Sequence, residues 1–206
     1  MQDYKKKTIR IAVTGNAGSG KTSVCEIFKK LGEIVIFSDA IAREVVAPGS
    51  YAYKNIINLF GQRVLKENGS LNRQLLRKII INDDSARKAL EKIVHPEIIR
   101  LIKLSMNKAE KDVKRFVVVE IPLLFELDLK ELFDLVITVS ADHELRLNRL
   151  ICRDKVSRED AKLLFSIQMP EEEKAKRAEF VIKNDGSIEQ LEKSVELLYK
   201  KLTKKY

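Results

Sequence analysis

The residues from Gly15 to Thr22 have the types and the spacing of a loop that binds phosphate. They read Gly-Asn-Ala-Gly-Ser-Gly-Lys-Thr, which fits the pattern G-x-x-x-x-G-K-[ST]. Glycines at these positions let consecutive backbone N–H groups point at one anion. Lys21 would neutralise the outer phosphates of a nucleoside triphosphate, and the Thr22 hydroxyl would bind Mg²⁺. The pattern therefore predicts a site for ATP or a related nucleotide with its metal ion.

Two acidic residues at predicted strand ends are candidates for the rest of the chemistry. Asp39 lies two residues after Phe37, in the segment Phe37-Ser38-Asp39 that ends the second apolar run, so we expect it at the carboxyl edge of a sheet beside the loop. There it would act as the base that accepts a hydroxyl proton, or, alternatively, it only caps the helix beginning at Ala40. Glu120 is the only acid in the apolar run from Phe116 to Ile121. It would approach Mg²⁺, directly or through water, or form a structural ion pair in the core.

Arg43 and His95 are weaker candidates. Arg43 follows Asp39 by one helical turn and is predicted to contact a substrate phosphate. The pair His95-Pro96 predicts a break between two helices, and a capping or packing role for the histidine is as open as a binding role. The cysteines, Cys25 and Cys152, are far apart and are predicted to be reduced thiols.

Five continuous apolar runs predict buried parallel strands, and helical patterns separate them. This alternation favours a three-layer α/β fold with a five-stranded parallel sheet. The runs are Thr8 to Thr14, Glu33 to Phe37, Phe116 to Ile121, Asp134 to Ser140, and Glu179 to Lys183.

Two further regions interrupt this core, which is predicted to comprise residues 1–45, 114–140 and 178–206. Residues 46–113 carry two apolar stripes at helical spacing and predict a helical insertion that binds the second substrate. Residues 141–177 are dense in arginine and predict a helical lid, with one helix opening at Ser157 and ending near Met169-Pro170. Solvated surface helices are the alternative for this region. A capping box at Ser187 to Gln190 opens a terminal helix.

The net charge of +9 fits either polyanionic substrates or a nucleic acid. Part of the charge lies at the chain ends, in Lys5 to Lys7 and in four lysines between 200 and 205, and aromatic residues do not alternate with basic ones. We therefore predict no nucleic-acid partner. No apolar run reaches the ~20 residues that span a membrane, and no signal-peptide pattern is present. These features predict a cytoplasmic protein. The sequence does not fix the oligomeric state, and we expect a monomer or a weak homo-oligomer.

Nearly the whole chain resembles the dephospho-coenzyme A kinase family. The loop alone is common to many ATPases, whereas the other blocks in this order are far more specific. The similar segments are Gly15–Thr22, Ser38–Gly49, Phe60-Gly61, Leu90–Pro96, Ile121–Glu126, Arg149 with Arg153, Gln168–Pro170, Glu173-Lys174 and Asn184–Ser187.

The resemblance implies phosphorylation of the ribose 3′-hydroxyl of dephospho-CoA by ATP, with Mg²⁺ as the cofactor. It implies that Lys21 and Asp39 are catalytic, and that Asp39, Arg43, His95 and Leu123 bind the acceptor. The implied ATP-binding residues are Gly15, Ala17, Gly18, Ser19, Gly20, Lys21, Thr22, Ser23, Arg149, Arg153 and Asn184, and the implied metal-binding residues are Thr22 and Glu120.

Four positions depart from the family pattern as the resemblance presents it. Phe37 stands where an aspartate is usual, Glu120 replaces the commoner aspartate, Leu164 replaces a frequent arginine, and Asn16 replaces a loop glycine. Two other functions fit the loop: a kinase for a nucleoside monophosphate, and a P-loop protein that hydrolyses its nucleotide without an acceptor. An Asn-Lys-x-Asp motif for guanine is absent from the sequence, which disfavours a GTPase switch.

Overall fold

The computed structural model describes residues 8–112 and 114–206. Lys5 to Lys7 and Val113, the predicted end of the insertion, lie outside the described residues. The chain forms two compact units. The first contains the residues up to Phe37 together with Met106–Tyr206, and the second is Ser38–Ser105. The predicted division at residues 46 and 113 stays a prediction.

The first unit is built on a parallel sheet of five strands in the order β2-β3-β1-β4-β5. Every strand begins and ends within one residue of its predicted bounds, and the predicted five-stranded parallel sheet is confirmed. The strands are β1 (Ile9–Thr14), β2 (Ile34–Phe37), β3 (Phe116–Glu120), β4 (Leu135–Ser140) and β5 (Phe180–Lys183).

Helices of very different length connect the strands. None of those within residues 8–112 and 114–206 is long and apolar enough to cross a membrane. The helices are α1 (Lys21–Lys30), α2 (Ser38–Val45), α3 (Tyr51–Phe60), α4 (Arg73–Asn82), α5 (Asp84–Ala109), α6 (His143–Asp154), α7 (Arg158–Ser166), α8 (Glu171–Arg177) and α9 (Ile188–Lys205).

Strand β4 shows how the first unit forms three layers. Ile137 and Val139 pack in one apolar cluster with residues of α1 and α9. The intervening residue, Thr138, donates a hydrogen bond of 3.2 Å to the backbone carbonyl of Lys174 in α8. Successive strand residues point to opposite faces of a sheet, so α8 lies on the face opposite α1 and α9. This is the three-layer α/β architecture predicted from the sequence.

The second unit is helical and has a core of its own, formed by Ile56, Phe60, Val64, Leu71 and Leu76. Its helices begin at polar caps. The Ser50 side chain accepts a hydrogen bond from the Tyr53 N–H at 3.1 Å, and Asn72 accepts one from the Leu75 N–H at 3.1 Å. Each cap satisfies a backbone donor that the first turn of a helix leaves without a partner.

The predicted helix break at His95-Pro96 is wrong. Helix α5 continues through Pro96 to Ala109. A proline removes one backbone N–H from a helix, and a helix of 26 residues retains enough other hydrogen bonds to continue past it.

Two helix starts predicted from the sequence are confirmed. The Ser157 side chain accepts a hydrogen bond from the Asp160 N–H at 3.0 Å, and Ser187 with Gln190 forms the complete capping box of α9. Helix α7 ends at Ser166, and the short helix α8, which the sequence analysis did not predict, follows after Pro170. Residues 167–170 therefore form a connection between two helices.

Candidate active site

The Gly15–Thr22 segment, called the phosphate loop below, joins β1 to α1. Gly18 and Gly20 have φ angles of 78° and 96°, a region that side-chain-bearing residues rarely adopt. A Cβ atom added to Gly18 would overlap the backbone of Arg146. A Cβ atom added to Gly20 would overlap the side-chain nitrogen of Asn184. Glycine is thus required at positions 18 and 20 by backbone conformation and by close neighbours.

The side chain of Lys21 bends back over the phosphate loop. It is only 8% exposed, and its Nζ donates a hydrogen bond of 3.0 Å to the carbonyl of Asn16. The same carbonyl accepts the Ser19 N–H at 3.2 Å. Because α1 begins at Lys21, its positive end and the ammonium group are both at the loop. This arrangement attracts a polyanion.

Thr22 and Glu120 come together beside the loop. The Thr22 hydroxyl donates a hydrogen bond of 2.9 Å to Oε1 of Glu120, which is the last residue of β3 and is 4% exposed. Glu120 is paired with Val13 of β1 in the sheet register. A hydroxyl and a carboxylate are hard oxygen ligands, the type that Mg²⁺ prefers.

Two more of the sequence-predicted residues contact the phosphate loop. Asn184, at the end of β5, donates from Nδ2 to the Ser19 carbonyl at 2.8 Å. Arg149 in α6 donates from Nη1 to the Gly18 carbonyl at 3.4 Å. Arg153, by contrast, is exposed, and its Nε donates to Oδ1 of Asp154 at 2.7 Å.

The other predicted loop residues, Gly15, Ala17 and Ser23, lie at the phosphate loop and the start of α1. The Ala17 N–H donates a hydrogen bond of 2.9 Å to Oε1 of Gln168. Gln168 belongs to the segment Gln168–Pro170 that resembles the family, and no role was predicted for it. A glutamine between two helices is common at protein surfaces, so no pattern in the sequence pointed to this contact.

A buried ion pair near the loop was also missed. Lys174 is 0% exposed, and its Nζ contacts Oε1 of Glu126 at 2.8 Å and the Pro122 carbonyl at 2.7 Å. Burial lowers the pKa of Lys174, and the Glu126 carboxylate opposes that shift. The pair fixes the segment 122–126, which includes Leu123, a half-buried residue expected to bind the acceptor.

The density of arginine in residues 141–177 has partly structural causes. Arg146 is buried, donates to the Ala141 carbonyl at 3.0 Å, and pairs with Glu171 at 3.3 Å. Its guanidinium group lies 4.9 Å from the centre of the Phe165 ring. Burial raises the pKa of Glu171, and Arg146 opposes that shift. A role for this region as a mobile lid stays a prediction.

In the second unit, Asp39 and Arg43 are exposed on α2. The helix begins at Ser38, so Asp39 lies inside its first turn and the alternative that it caps a helix starting at Ala40 is wrong. Phe37, the last residue of β2, is still paired in the sheet, and the helix begins at the next residue, Ser38, two residues earlier than predicted. Asp39 keeps its carboxylate exposed at the start of a helix.

His95 lies on α5 and is half-buried. Burial lowers its pKa, and the Glu91 carboxylate opposes that shift. The environment of the imidazole therefore favours its neutral form. His95 lines an open surface pocket of about 590 Å³ along α5, whose other lining residues are Lys88, Glu91, Lys92, Pro96 and Ile99.

A parallel sheet whose first strand passes through a G-x-x-x-x-G-K-T loop into a helix defines the P-loop nucleotide-binding class. The comparisons with known proteins narrow this class. The model of the dephospho-CoA kinase family matches residues 9–190. The chain belongs to the dephospho-CoA kinase family.

Individual relatives agree with this assignment. A dephospho-CoA kinase of Bacillus cereus is 40% identical over 193 residues, which cover 94% of this chain and 96% of the relative. A crystal structure of a Thermus thermophilus protein has a TM-score of 0.79 at 36% identity, covering 96% of this chain and 99% of its own. The structure of a dephospho-CoA kinase from Campylobacter jejuni has a TM-score of 0.70 at 33% identity, and the match covers 95% of this chain and 97% of the Campylobacter chain.

Proposed function

We propose that this chain transfers the γ-phosphoryl group of ATP to the ribose 3′-hydroxyl of dephospho-CoA, with Mg²⁺ as the cofactor. The observation that carries the proposal is the phosphate loop, with Lys21 bent over it, in a chain of the dephospho-CoA kinase family. The product would be CoA, so the chain would complete the synthesis of that cofactor.

The donor half of the reaction is supported by residues of the first unit. Phosphoryl transfer requires that negative charge on the γ-phosphate be neutralised in a fixed geometry. Lys21 would move from the Asn16 carbonyl to the phosphate oxygens, since an anion is a better partner than a carbonyl for an ammonium group. Arg149 and Asn184, which contact the loop carbonyls, would bind the rest of the nucleotide.

Thr22 and Glu120 would hold the metal ion. Their oxygens are in hydrogen-bond contact, and Mg²⁺ usually takes one or two protein ligands together with phosphate oxygens and water. The ion would supply charge neutralisation at the β- and γ-phosphates. The contribution of the chain is to fix these two oxygens at the end of β3 and the start of α1.

For the acceptor half we propose Asp39 as the base, with Arg43 and His95 as binding residues and Leu123 as an apolar contact. The exposed carboxylate in the first turn of α2 is available to a hydroxyl group. The open pocket beside His95 combines two lysines and one glutamate with the apolar side chains of Pro96 and Ile99. Such a lining suits an acceptor that carries both phosphates and an extended organic chain.

Release of ADP in a coupled assay with dephospho-CoA, with AMP and without acceptor tests the proposal. We expect turnover with dephospho-CoA alone, and a product phosphorylated on the 3′-hydroxyl by NMR. Faster turnover with AMP would indicate a nucleoside monophosphate kinase. Equal turnover with and without acceptor would indicate an NTPase and overturn the proposal. The substrates and the two free cysteines fit a cytoplasmic enzyme.

A further inference from the structure

Two hydrogen bonds tie the phosphate loop to the connection between α7 and α8. The Ala17 N–H donates to Oε1 of Gln168 at 2.9 Å, and Nδ2 of Asn16 donates to the Met169 carbonyl at 3.1 Å. Both acceptors belong to residues 167–170, which are more than 150 positions away in the sequence. The first half of the loop is therefore held by a distant segment of the same unit.

That segment is itself firmly anchored. The Met169 N–H donates to Oε1 of Glu126 at 3.0 Å, and the same oxygen contacts Nζ of the fully buried Lys174 at 2.8 Å. Hydrogen bonds to charged groups are stronger than neutral ones, and low dielectric surroundings strengthen them further. The Gln168 side chain is thus presented to the loop from a rigid base.

The position of Asn16 matters because its carbonyl is the contact of Lys21. Nζ of Lys21 and the Ser19 N–H both donate to that carbonyl. A displacement of residues 16 and 17 would therefore displace the ammonium group and the turn that follows it. A loop that is already in its binding conformation spends less free energy on ordering when a nucleotide arrives.

We propose that Gln168 is a positioning residue that sets the affinity for the nucleotide, because it holds the Ala17 amide and keeps the first half of the phosphate loop in its binding conformation. Asn16 assists by donating a hydrogen bond from its side chain to the Met169 carbonyl. A glycine, the residue expected at this position, could not make this contact. The inference rests on the proposed function only in that the loop binds a nucleoside triphosphate.

Three variants of the full chain test this role. Gln168→Leu has a side chain of comparable size and has no acceptor for the Ala17 N–H. Gln168→Glu keeps the acceptor and adds a negative charge beside the loop. Gln74→Leu is the matched control, because Gln74 is exposed on α4. The measurements are calorimetric titration with a non-hydrolysable ATP analogue and the KM values for ATP and for the acceptor.

We expect Gln168→Leu to weaken binding of the analogue by about 3- to 10-fold, the range of one net hydrogen bond. The KM for ATP should rise by a similar factor, and the KM for the acceptor should stay within twofold of the wild-type value. In the control variant Gln74→Leu, the affinity for the analogue and both KM values should stay within twofold of the wild type. At low salt, Gln168→Glu should weaken binding of the analogue more than Gln168→Leu does. The difference in affinity between the two variants should become smaller as salt screens the added charge.

The outcomes separate this role from general destabilisation and from the proposed function. Equal rises in both KM values, or unchanged affinity for the analogue in both Gln168 variants, would overturn the inference while the proposed function stands. If Gln168→Leu fails to fold, Gln168→Asn decides instead, because the shorter amide withdraws the acceptor from the Ala17 N–H while the residue stays polar and neutral, and wild-type affinity in that variant would overturn the inference. A wild-type chain that does not bind the analogue would overturn both.

Discussion

The hydroxyl of Thr22 donates a hydrogen bond of 2.9 Å to Oε1 of Glu120. The two residues are almost a hundred positions apart in the sequence, yet parallel pairing of β1 with β3 brings Glu120 level with Val13, just before the phosphate loop. The sheet register therefore decides which acid faces the loop hydroxyl. Substitutions at these two positions report on the proposed metal site.

Glu120→Gln should raise the Mg²⁺ concentration that gives half-maximal activity by about 10- to 100-fold, the usual cost of altering a group near a bound metal. The amide retains an oxygen for the Thr22 hydroxyl and loses the negative charge that attracts the cation. Titration of activity with Mg²⁺ at saturating ATP measures the effect. Glu120→Asp is the matched control, because it keeps the charge, and an identical titration curve for Glu120→Gln would exclude the residue from the metal site.

Lys21→Ala should reduce kcat by about 10²- to 10³-fold, comparable with the loss of one preorganised donor to transition-state charge. The ammonium group already lies at the loop on the Asn16 carbonyl, so little reorganisation precedes its contact with phosphate. Steady-state kinetics at saturating substrates measure kcat. Lys29→Ala, an exposed lysine on the same helix, should retain wild-type turnover, and a normal kcat for Lys21→Ala would contradict the assignment of the loop.

Asp39→Asn should lower turnover by about 10²- to 10⁴-fold, the range for loss of a positioned general base. Binding of the ATP analogue should stay within twofold, since the proposed role concerns the acceptor hydroxyl. Glu44→Gln removes another exposed carboxylate of α2 and serves as the control. Near-normal turnover of Asp39→Asn would remove this residue from the role of base.

The fold was largely predictable because its signals are local. Each strand lies in an apolar run, although the edge strands β2 and β5 are only partly buried, and the caps at Ser157 and Ser187 are short patterns with a direct physical cause. The rule that a proline breaks a helix failed at Pro96. Helix α5 continues there because its other hydrogen bonds and its packing against neighbouring residues stabilise it. Propensity sets only a prior for such positions.

The site was predictable only in part. The phosphate loop is a contiguous motif, so its residues could be named from the sequence. Gln168 and Lys174 act through contacts with residues about 50 to 150 positions away, at Ala17, Pro122 and Glu126, and a single sequence has no local pattern that marks such contacts. The arginines of residues 141–177 led to the opposite error, because their number indicated phosphate contacts and Arg146 instead pairs with Glu171.

Tyr199 should make the stability of the protein depend on pH above about 10. Burial and a 2.7 Å hydrogen bond to Glu33 raise its pKa to about 12. A group with a raised pKa in the folded state contributes stability that is fully present below its unfolded pKa of about 10 and is lost as the pH rises through the folded value. Tyr199→Phe should therefore be less stable than the wild type at pH 9, and the difference should shrink by pH 12. Urea unfolding at a series of pH values measures the free energy of unfolding of both proteins. A difference between wild type and Tyr199→Phe that stays constant from pH 9 to pH 12 would contradict the prediction. Tyr51→Phe, at an exposed site, is the control and should show such a constant difference.

Lys174→Met should cost about 3–5 kcal/mol of the free energy of unfolding, the usual effect of removing one partner of a buried ion pair. The side chain is 0% exposed and holds both Glu126 and the Pro122 carbonyl, so its loss leaves a partly buried carboxylate without its cation. Adding Glu126→Gln removes that charge and keeps an acceptor for the Met169 N–H, so the double variant should be more stable than Lys174→Met alone. Lys176→Met, at an exposed position on the same helix, should change stability by less than about 0.5 kcal/mol. A double variant that is less stable than Lys174→Met would show that the lysine acts mainly through the Pro122 carbonyl, because in that case the charge of Glu126 would not be the source of the instability.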